Sequence, residues 1–425
     1  MKKLVASVGL VALGTSGLRA DGIPGTVTDQ SKPWSAAVTL RGFYDSNPTT
    51  VNSGRDPSWG FDINPAIGFV MRWEQTSVAA SYQYDFKYFF NKPSDQNQHY
   101  DQTQSFDVAL NHAFDPRYNV VVRDSFVIGQ EPDTLRAGNS FSTFQVIPGD
   151  NTRNYGLIDF NGQLSRELGF QVGYANTFYN YADSGGNATA PSNAGLLNRM
   201  DNLIHLDSRW TLRPQTIGVV GYQFQQVNYT AGEEIGVTSS GQSIVSDDKN
   251  YRANYFYLGA DNTFSPSLYG SFRLGGRYVN YYNDVSGNNN GWGPYVMLNL
   301  SYYYAPQSYL EAGLSTDLSA TDAFSVQGNS FTQTTESTVV HGSINHAITP
   351  KLIGSFIALF QYSVFQGGSL DGENERYFLL GLNAKYHFTP HLAAECGYNY
   401  DIVSSQDQVF NYDRNRVYVG ITAAY

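Results

Sequence analysis

The 425-residue sequence contains a single cysteine, Cys396, and is poor in lysine and arginine. One cysteine excludes a framework of disulfides within the chain. Lysine and arginine together number 26 against 37 aspartates and glutamates, and this acidic balance disfavours nucleic-acid binding, which requires a basic surface. After the first twenty residues no apolar run reaches the ~18 residues that a transmembrane helix needs, and no helical apolar period is present. The lack of a long apolar run disfavours a helical membrane protein, and the lack of a helical period disfavours a helical bundle.

The longest apolar run lies at the start of the chain. Lys2 and Lys3 precede it, the run extends from Leu4 to Gly14, and small or neutral residues follow as far as Ala20. This run is too short to anchor a protein in a membrane, and it has the layout of a secretory signal. We predict a signal peptide over residues 1–20, a short periplasmic segment over 21–33 and one domain over 34–425.

Most of the remaining chain alternates between apolar and polar residues. In "AECGYNYDI", residues 394–402, every second side chain is apolar or aromatic, and residues 272–278 and 377–388 repeat the pattern. Successive side chains of a strand point to opposite faces, so this alternation predicts β-strands.

Short turns punctuate the strands, and most of them contain a proline, which cannot donate to a sheet ladder. The prolines are Pro116, Pro214, Pro266, Pro306, Pro350 and Pro390, and two further tight connections lie near Gln75 and Arg166. These eight short turns alternate with nine longer polar loops and delimit eighteen strands, the first near 34–46 and the last near 412–425. The pattern predicts an all-β fold: a transmembrane antiparallel up-and-down β-barrel of about 18 strands, with short periplasmic turns and long extracellular loops.

A β-propeller is the main alternative, because its blades also repeat every ~40–50 residues. A blade contains four short strands, whereas each interval here contains two long ones. Aromatic residues at both strand ends favour the barrel, because such rings mark the two membrane interfaces. They are Trp73, Phe114, Trp210, Phe264, Tyr304 and Phe388 near the turns, and Tyr44, Tyr88 and Tyr282 near the loops. The final "RVYVGITAAY" resembles the C-terminal strand that barrel-assembly machinery recognises, with Tyr425 as its terminal aromatic residue.

The polar face of the predicted strands would line the bore, and a barrel of 16–18 strands is wide enough for an aqueous channel. The candidate pore-lining residues are Arg41, Arg72, Asp85, Lys87, Asp107, Arg123, Asp159, Asp207, Arg209, Asp261, Arg273, Arg277, Glu311, Lys385, Glu395, Arg414 and Arg416, with Asp62, Asp317 and Asp401 as further acidic candidates. For any one of them, pairing with a neighbour is the alternative to a role in permeation. In "VVVRDSF", residues 120–126, we place Arg123 inward and expect a β-bulge.

Two loops carry charges that bear on permeation. By analogy with general porins, the third outer loop, residues 129–152, would fold inward and place Glu131, Asp133 and Arg136 at a constriction. The fifth outer loop, residues 231–249, contains Glu233, Glu234, Asp247 and Asp248. We expect this loop to stay solvated outside the barrel, where its carboxylates could collect divalent cations without forming a dedicated metal site.

Three stretches resemble a known family. They are "LRGFYDSNPTT" (40–50), "YQYDFKYFF" (82–90) and "YDQTQSFDVALNHAFDPRYNVVVRDSF" (100–126), and the Asp-Ser-Asn of the first is the most characteristic element. They are similar to the putative β-barrel porin family of the outer membrane, which includes barrels of exopolysaccharide-export operons. The resemblance implies a barrel in the bacterial outer membrane and transfers no catalytic or binding residues.

Three functions remain open from the sequence. The first is passive passage of small hydrophilic solutes, and the second is export of an exopolysaccharide, for which Tyr255, Tyr257, Tyr303 and Tyr377 could follow the sugar chain. The third is a structural or adhesive barrel with a blocked bore. Catalysis is disfavoured, because His341 with Ser343 and His205 with Asp207 are spacings expected by chance. We expect no cofactor and no metal, outer-membrane lipid as surroundings and, by analogy with porins, a homo-trimer.

Overall fold

The chain folds into a mainly β structure, seen here in a computed structural model that describes residues 32–92, 99–130, 149–285, 290–406 and 411–425. Its strands are β1 (Trp34–Asp45), β2 (Ser58–Arg72), β3 (Thr76–Phe89), β4 (Tyr100–Asp115), β5 (Tyr118–Gly129), β6 (Asn151–Gln163), β7 (Leu168–Tyr181), β8 (Arg199–Arg213), β9 (Thr216–Tyr229), β10 (Glu234–Val237), β11 (Ser243–Val245), β12 (Tyr251–Ser265), β13 (Leu268–Asn280), β14 (Gly291–Ala305), β15 (Ser308–Ser319), β16 (Val326–Gln327), β17 (Ser330–Phe331), β18 (Thr334–Ala347), β19 (Leu352–Gln366), β20 (Asn374–Thr389), β21 (Leu392–Ser405) and β22 (Tyr412–Ala424).

Eighteen of these strands form one closed antiparallel sheet, and β10, β11, β16 and β17 form two small hairpins in the loops. Each barrel strand pairs with the next along the chain, and β22 pairs back onto β1, with Thr39 opposite Thr422. The closure leaves no sheet edge, as a barrel in lipid requires. The strand count, the strand order and the alternation of short turns with long loops confirm the sequence prediction.

Most of the short turns that contain a proline share one local arrangement of the backbone. In five of the eight short turns the strand register shifts within the last three residues before the turn, as between Thr263 and Ser265 or between Tyr303 and Ala305. Pro116, Pro214, Pro266, Pro306 and Pro390 follow these shifts directly, at the position where the chain reverses. A proline fits there because no ladder hydrogen bond is required of its nitrogen.

The outer face of the barrel is apolar and exposed. Leu40, Leu258, Val419 and Ile421 are at least half exposed, and they occupy the alternate positions of their strands. The predicted rings near the turns, from Trp73 round to Phe388, are exposed on the same face. Strands of 12 to 16 residues exceed the ~9–11 that cross the hydrocarbon, so their ends project beyond it.

The inner face is polar, and its side chains bond across strands that are not neighbours. Arg209 of β8 donates to Asp261 of β12 over 2.7 Å, past β9. Such contacts form on the concave side of a closed sheet, where side chains converge. The inner face is therefore the bore of the barrel.

The charged pair in β5 takes one of the two arrangements considered from the sequence. Arg123 lies opposite Ala109 on the inner face, and Asp124 lies opposite Val108 and Gly156 on the outer face. The register of β5 with both neighbours is regular at this point, so the expected β-bulge is wrong. The strand instead keeps its alternation and leaves one carboxylate facing outward.

Short elements occupy the loops on the side opposite the short turns. The helix α1 (Asn193–Leu197) precedes β8, and its N-cap Ser192 accepts a bond from the Gly195 amide. A 3-10 turn (Ser246–Lys249) precedes β12, and a second one (Gly368–Leu370) follows β19. Across the described ranges, no helix has the length and apolar character to span a membrane.

Candidate pore and its outer closure

The candidate pore-lining residues lie together on the inner face. The register places all seventeen there, from Arg41, which lies opposite Asp62, round the barrel to Arg416, which lies opposite Asn399. The predicted constriction residues Glu131, Asp133 and Arg136 lie outside the described residues. The position of these seventeen residues is compatible with a role in lining the bore.

Ion pairs connect many of these residues along the wall. Arg41 bridges Asp62 at 2.9 Å and Glu395 at 2.6 Å. Asp261 lies between Arg209 at 2.7 Å and Arg273 at 2.8 Å, and Arg416 pairs with Asp401 at 2.8 Å. The pairing that the sequence suggested is therefore present at these positions. Because positive and negative side chains pair, the inner wall is polar and hydrated, and the net electric field that it creates in the bore is modest.

Tyrosines cover the inner wall on one side of the barrel. The tyrosine cluster consists of Tyr229, Tyr251, Tyr255, Tyr257, Tyr281 and Tyr295. The Tyr255 hydroxyl donates to Asp317 over 3.0 Å, and the Tyr257 hydroxyl donates to Asp207. Three of the rings considered for sugar binding, Tyr255, Tyr257 and Tyr377, are almost fully buried, whereas Tyr303 is 39% exposed near a turn. Buried rings present no face for a sugar to stack on.

Four outer loops pack together at the loop end of the barrel. The loop cluster consists of Tyr181, Leu196, Leu197, Ile235, Ile244 and Phe331, with Val285, Phe324 and Val326 packed against it. Tyr181 is the last residue of β7 and lies on its inner face, opposite Asn151. The cluster is therefore continuous with the wall at the loop end of the bore. Loops after β7, β9 and β15 contribute its buried residues, and the loop after β13 contributes Val285.

Lys249 lies beneath this cluster with no exposed surface. Its ammonium group donates to the carbonyls of Leu196 at 3.1 Å and Thr321 at 3.2 Å, and it lies 4.7 Å from the centre of the Tyr229 ring. One side chain thus connects three loops. Burial, reinforced by the charge of Arg199 and opposed by Asp322, lowers the pKa of Lys249 to about 7.

The fifth outer loop is not solvated throughout as expected, although Glu234 and Asp247 remain exposed. Ile235, Ile244 and Ser246 are completely buried, and Asp248 is nearly so, because the loop folds onto its neighbours. Burial tends to raise the pKa of Glu233, but hydrogen bonds accepted from the Ser192 hydroxyl and the Gly185 amide outweigh it and lower that pKa. The described part of the chain contains no group of three or more potential ligands that could hold a metal ion. Isolated isoleucines in an otherwise polar loop were the sequence signal for this packing.

Inner-face side chains are more buried at the loop end of the barrel than at the turn end. At the loop end, inner-face residues such as Asp45, Arg199, Tyr251 and Tyr377 are at most 3% exposed. Toward the turns the inner face opens, and Arg72 is exposed while Lys385 is half-buried. Solvent therefore reaches the wall mainly from the short-turn side. At the loop end, described residues of the loop cluster and the inward rings cover the wall.

The histidines considered for catalysis, His205 and His341, lie on the inner face of the barrel. His205 is fully buried, and its Nε2 lies 3.1 Å from Asp159 of β6. His341 lies over Gly313 of β15, where the ring occupies the space of a missing side chain. Ser343 follows on the same inner face but two positions along the strand. Both histidine rings therefore pack into the inner wall.

The family model described as putative beta-barrel porin 2 matches residues 34–425, which include all the barrel strands. A search of curated proteins finds no significant match. Among solved structures, the outer-membrane protein OpdK of Pseudomonas aeruginosa, crystallised with vanillate, is 14% identical over 92% of this chain and 99% of that chain, with a TM-score of 0.44.

Two further solved structures match over similar lengths. OccAB4 of Acinetobacter baumannii is 10% identical, covering 93% of this chain and 99% of that chain with a TM-score of 0.43. The siderophore receptor PirA of the same organism is 8% identical, covering 93% of this chain and 81% of that chain with a TM-score of 0.43. TM-scores below 0.5 are too low to carry an inference about function.

Proposed function

The chain belongs to the putative beta-barrel porin 2 family and lies in the bacterial outer membrane, and on that premise we propose that it passes small hydrophilic solutes by diffusion. The observation that carries the proposal is the inner face itself. Charged residues of both signs line it from Arg41 to Arg416, and the turn side admits solvent. An aqueous, evenly charged bore favours small polar solutes over apolar ones. The family and the polar inner face both support a channel as the function of this barrel.

The loop cluster sets the solute size in this proposal. Its core residues seal part of the outer mouth, and Lys249 holds the loops after β7, β9 and β15 in contact. Solutes would pass between this cluster and the opposite wall, or when the loops part. We therefore propose a narrow channel in which the outer mouth, more than the width of the barrel, limits passage.

Export of a polysaccharide stays a less favoured alternative. A sugar conduit requires aromatic faces exposed along the bore, and the rings of Tyr255, Tyr257 and Tyr377 are buried. A barrel that serves only as structure would carry the same tight loop cluster but no permeation. Both alternatives can be distinguished from a porin by measuring the flux of small solutes through the reconstituted protein.

Liposome swelling tests the proposal. Purified protein is reconstituted into vesicles, which are diluted into isosmotic solutions of neutral sugars of increasing size. Diffusion through a narrow bore predicts rapid swelling with monosaccharides and steeply slower swelling with larger sugars. Equal, slow swelling with every sugar, at the rate of protein-free vesicles, would leave the proposal without support.

The proposal also covers export of the chain across the inner membrane and its assembly into the outer membrane. Residues 1–20 would direct the chain across the inner membrane, and residues 21–33 would remain in the periplasm as a short lead into β1. Tyr425 would engage the barrel-assembly machinery. Its main chain exchanges two hydrogen bonds with Ala36 at 2.8 and 3.0 Å, and its ring lies 5.3 Å from Trp34, at the seam where the barrel closes.

A further inference from the structure

Four consecutive strands of the barrel contain no lysine and no arginine. They are β14, β15, β18 and β19, which are neighbours in the sheet. This sector departs from the mixture of positive and negative charges that lines the rest of the bore. Its inner face carries Glu311 of β15, which lies opposite Ser301 on one side and Ser343 on the other. An anionic solute would meet this carboxylate with no cation on the same strands to offset the repulsion.

Glu311 has no cationic partner among the residues that the structure describes. The other two acidic side chains of the sector, Asp317 and Glu336, both pair with Arg277 of β13, at 3.2 and 2.7 Å. Glu311 instead accepts a long hydrogen bond from the Tyr303 hydroxyl over 3.4 Å. It is half-buried and lies near the start of its strand, on the turn side where solvent reaches the wall. Its charge is therefore available to a cation that arrives from solution.

Three tyrosine rings lie beside this carboxylate. The turn-side tyrosine group consists of Tyr269 of β13, Tyr303 of β14 and Tyr309 of β15, and the strand register places all three on the inner face. The Tyr303 ring centre lies 6.4 Å from that of Tyr269 and 6.0 Å from that of Tyr309, with interplanar angles of 68° and 40°. Tyr269 and Tyr303 are each 39% exposed, whereas the rings of the tyrosine cluster are at most 8% exposed. The group therefore presents a bent, accessible aromatic surface to the bore.

The polar groups next to these rings suit a neutral sugar or a metal ion poorly. Asn345 lies opposite Tyr309, and its amide is already used on both sides. Its nitrogen donates to the Gln307 carbonyl over 2.7 Å, and its oxygen accepts from Ser355 over 2.8 Å. A sugar would thus lack this partner for its hydroxyl groups. A calcium or magnesium ion takes six or more oxygen ligands, and no group of three potential ligands occurs in the described ranges.

Tyrosine faces beside an unpaired carboxylate have the chemistry that binds an organic cation. The face of an aromatic ring attracts an ammonium group within ~6 Å of the ring centre, and several rings together recognise quaternary ammonium groups. We propose that the turn-side tyrosine group and Glu311 bind the ammonium group of small organic cations at the turn-side mouth of the bore. The rings contact the alkyl groups, and Glu311 balances the charge. As a step in passage this inference rests on the proposed function, whereas the binding itself requires no flux.

Saturation-transfer NMR with choline tests the binding. Irradiation of the aromatic protons of the purified protein in detergent weakens the methyl signal of any choline that exchanges with a site between the rings. We expect saturable transfer to choline and much weaker transfer to glucose and to acetate at the same concentration. Absence of transfer to choline, or equally strong transfer to glucose or acetate, would overturn the proposal.

Matched variants assign the signal to the site. Tyr303→Leu and Glu311→Gln should each weaken choline binding by about fivefold, because each removes one attraction for the ammonium group. Tyr303→Phe keeps the ring and should stay within about twofold of the parent protein. Folding of each variant is checked by the heat-dependent gel mobility of intact barrels. Unchanged choline binding in folded Tyr303→Leu and Glu311→Gln proteins would contradict the assignment.

Two control variants make the same chemical changes elsewhere. Tyr302→Leu removes the neighbouring ring, which is 41% exposed on the outer face of β14. Asp247→Asn removes a carboxylate at an exposed position in an outer loop. Both should bind choline like the parent protein, and a loss in either that matches the loss in its counterpart would place the binding outside the proposed site.

The binding and the passage of solutes can fail separately. A protein that binds choline but causes no liposome swelling would contradict diffusion through the bore and would leave the cation site standing. A protein that passes monosaccharides but binds no choline would support the channel and remove the cation site.

Discussion

Arg41 of β1 donates from Nε to Glu395 of β21 over 2.6 Å, although β22 lies between these two strands. The same guanidinium donates to Asp62 of β2 on its other side. One side chain therefore bonds to both β21 and β2 from β1 and passes over β22 at the seam where the barrel closes. Such contacts between strands that are not neighbours form only on the inner face. A substitution of Arg41 should therefore change the charge on the wall of the bore.

Replacement of Arg41 by glutamine should make the channel more selective for cations. The change leaves the carboxylates of Asp62 and Glu395, whose side chains are less than 10% exposed, without their shared cation. The negative field on the wall then attracts cations and repels anions. The reversal potential in a salt gradient across a planar bilayer measures the shift.

The control for this prediction is Arg252→Gln on the outer face of β12, where Arg252 lies over the Tyr282 ring. It removes the same charge outside the bore and should leave the reversal potential unchanged. Equal shifts in both variants would mean that selectivity does not originate at Arg41.

Phe331→Ala should widen the outer mouth. Phe331 is completely buried in the loop cluster, with its ring 6.2 Å from that of Phe324. Truncation of a buried phenylalanine costs about 3–5 kcal/mol, which is large against the stability of packed loops. We expect a higher single-channel conductance and faster entry of large sugars. Phe256→Ala, at a lipid-facing residue that is 55% exposed, is the matched control and should behave like the parent protein.

The loop packing should strengthen as the pH rises above 7. The pKa of Lys249 is lowered to about 7 in the packed state from about 10.5 in an opened loop, so the opened loop binds more protons between these values. Stability rises with pH wherever the unfolded or opened state binds the extra proton. Loop opening should therefore become rarer by up to about tenfold per pH unit across this window and commoner below it.

Hydrogen exchange of the amides around Leu196 and Leu197, corrected for the intrinsic dependence of exchange on pH, measures this opening. Arg199 and Asp322 face the same ammonium group, so a variant must isolate its contribution. Lys249→Met removes the titrating group and should flatten the dependence between pH 7 and 9. An unchanged slope in this variant would assign the effect to another residue.

Deletion of Tyr425 should reduce the yield of folded barrel in the outer membrane. The residue contributes two main-chain hydrogen bonds to β1 and a ring that lies against Trp34. Heat-dependent gel mobility of membrane fractions measures the folded fraction, and Tyr425→Phe, which keeps an aromatic terminus, should fold normally. If recognition by the assembly machinery dominates, refolding of the deleted chain in detergent stays efficient. A loss of equal size in detergent would indicate a structural role alone.

The barrel could be predicted from the sequence because its strands and turns are determined by residues that are close together in the chain. Alternation along 394–402 decides which side chains meet lipid, and a proline such as Pro266 marks where the chain reverses. Once the strands are counted, closure follows, because an open edge in lipid is too costly. The facing of Arg123 was predictable for the same reason, while the supposed bulge was unnecessary once Asp124 could remain on the outer face.

The outer mouth could not be predicted, because it depends on contacts between loops far apart in sequence. Nothing near Lys249 indicates that its ammonium group will meet the carbonyl of Thr321, 72 residues later. The charges of Glu233 and Asp248 suggested a solvated loop, but Ile235 and Ile244 decided the packing. In the same way, alternation identifies Tyr255 as inward but gives no sign that neighbouring rings will bury it.

Single-channel recording of the purified protein in a planar bilayer tests the central claim most directly. A polar, charged bore that solvent enters predicts discrete, reproducible openings with an ohmic current in simple salt, with no glycan or other ligand added. Phe331→Ala should raise the size of these openings in the same recordings. A protein that is folded and inserted, yet silent in both forms, would contradict the account of this barrel as a channel.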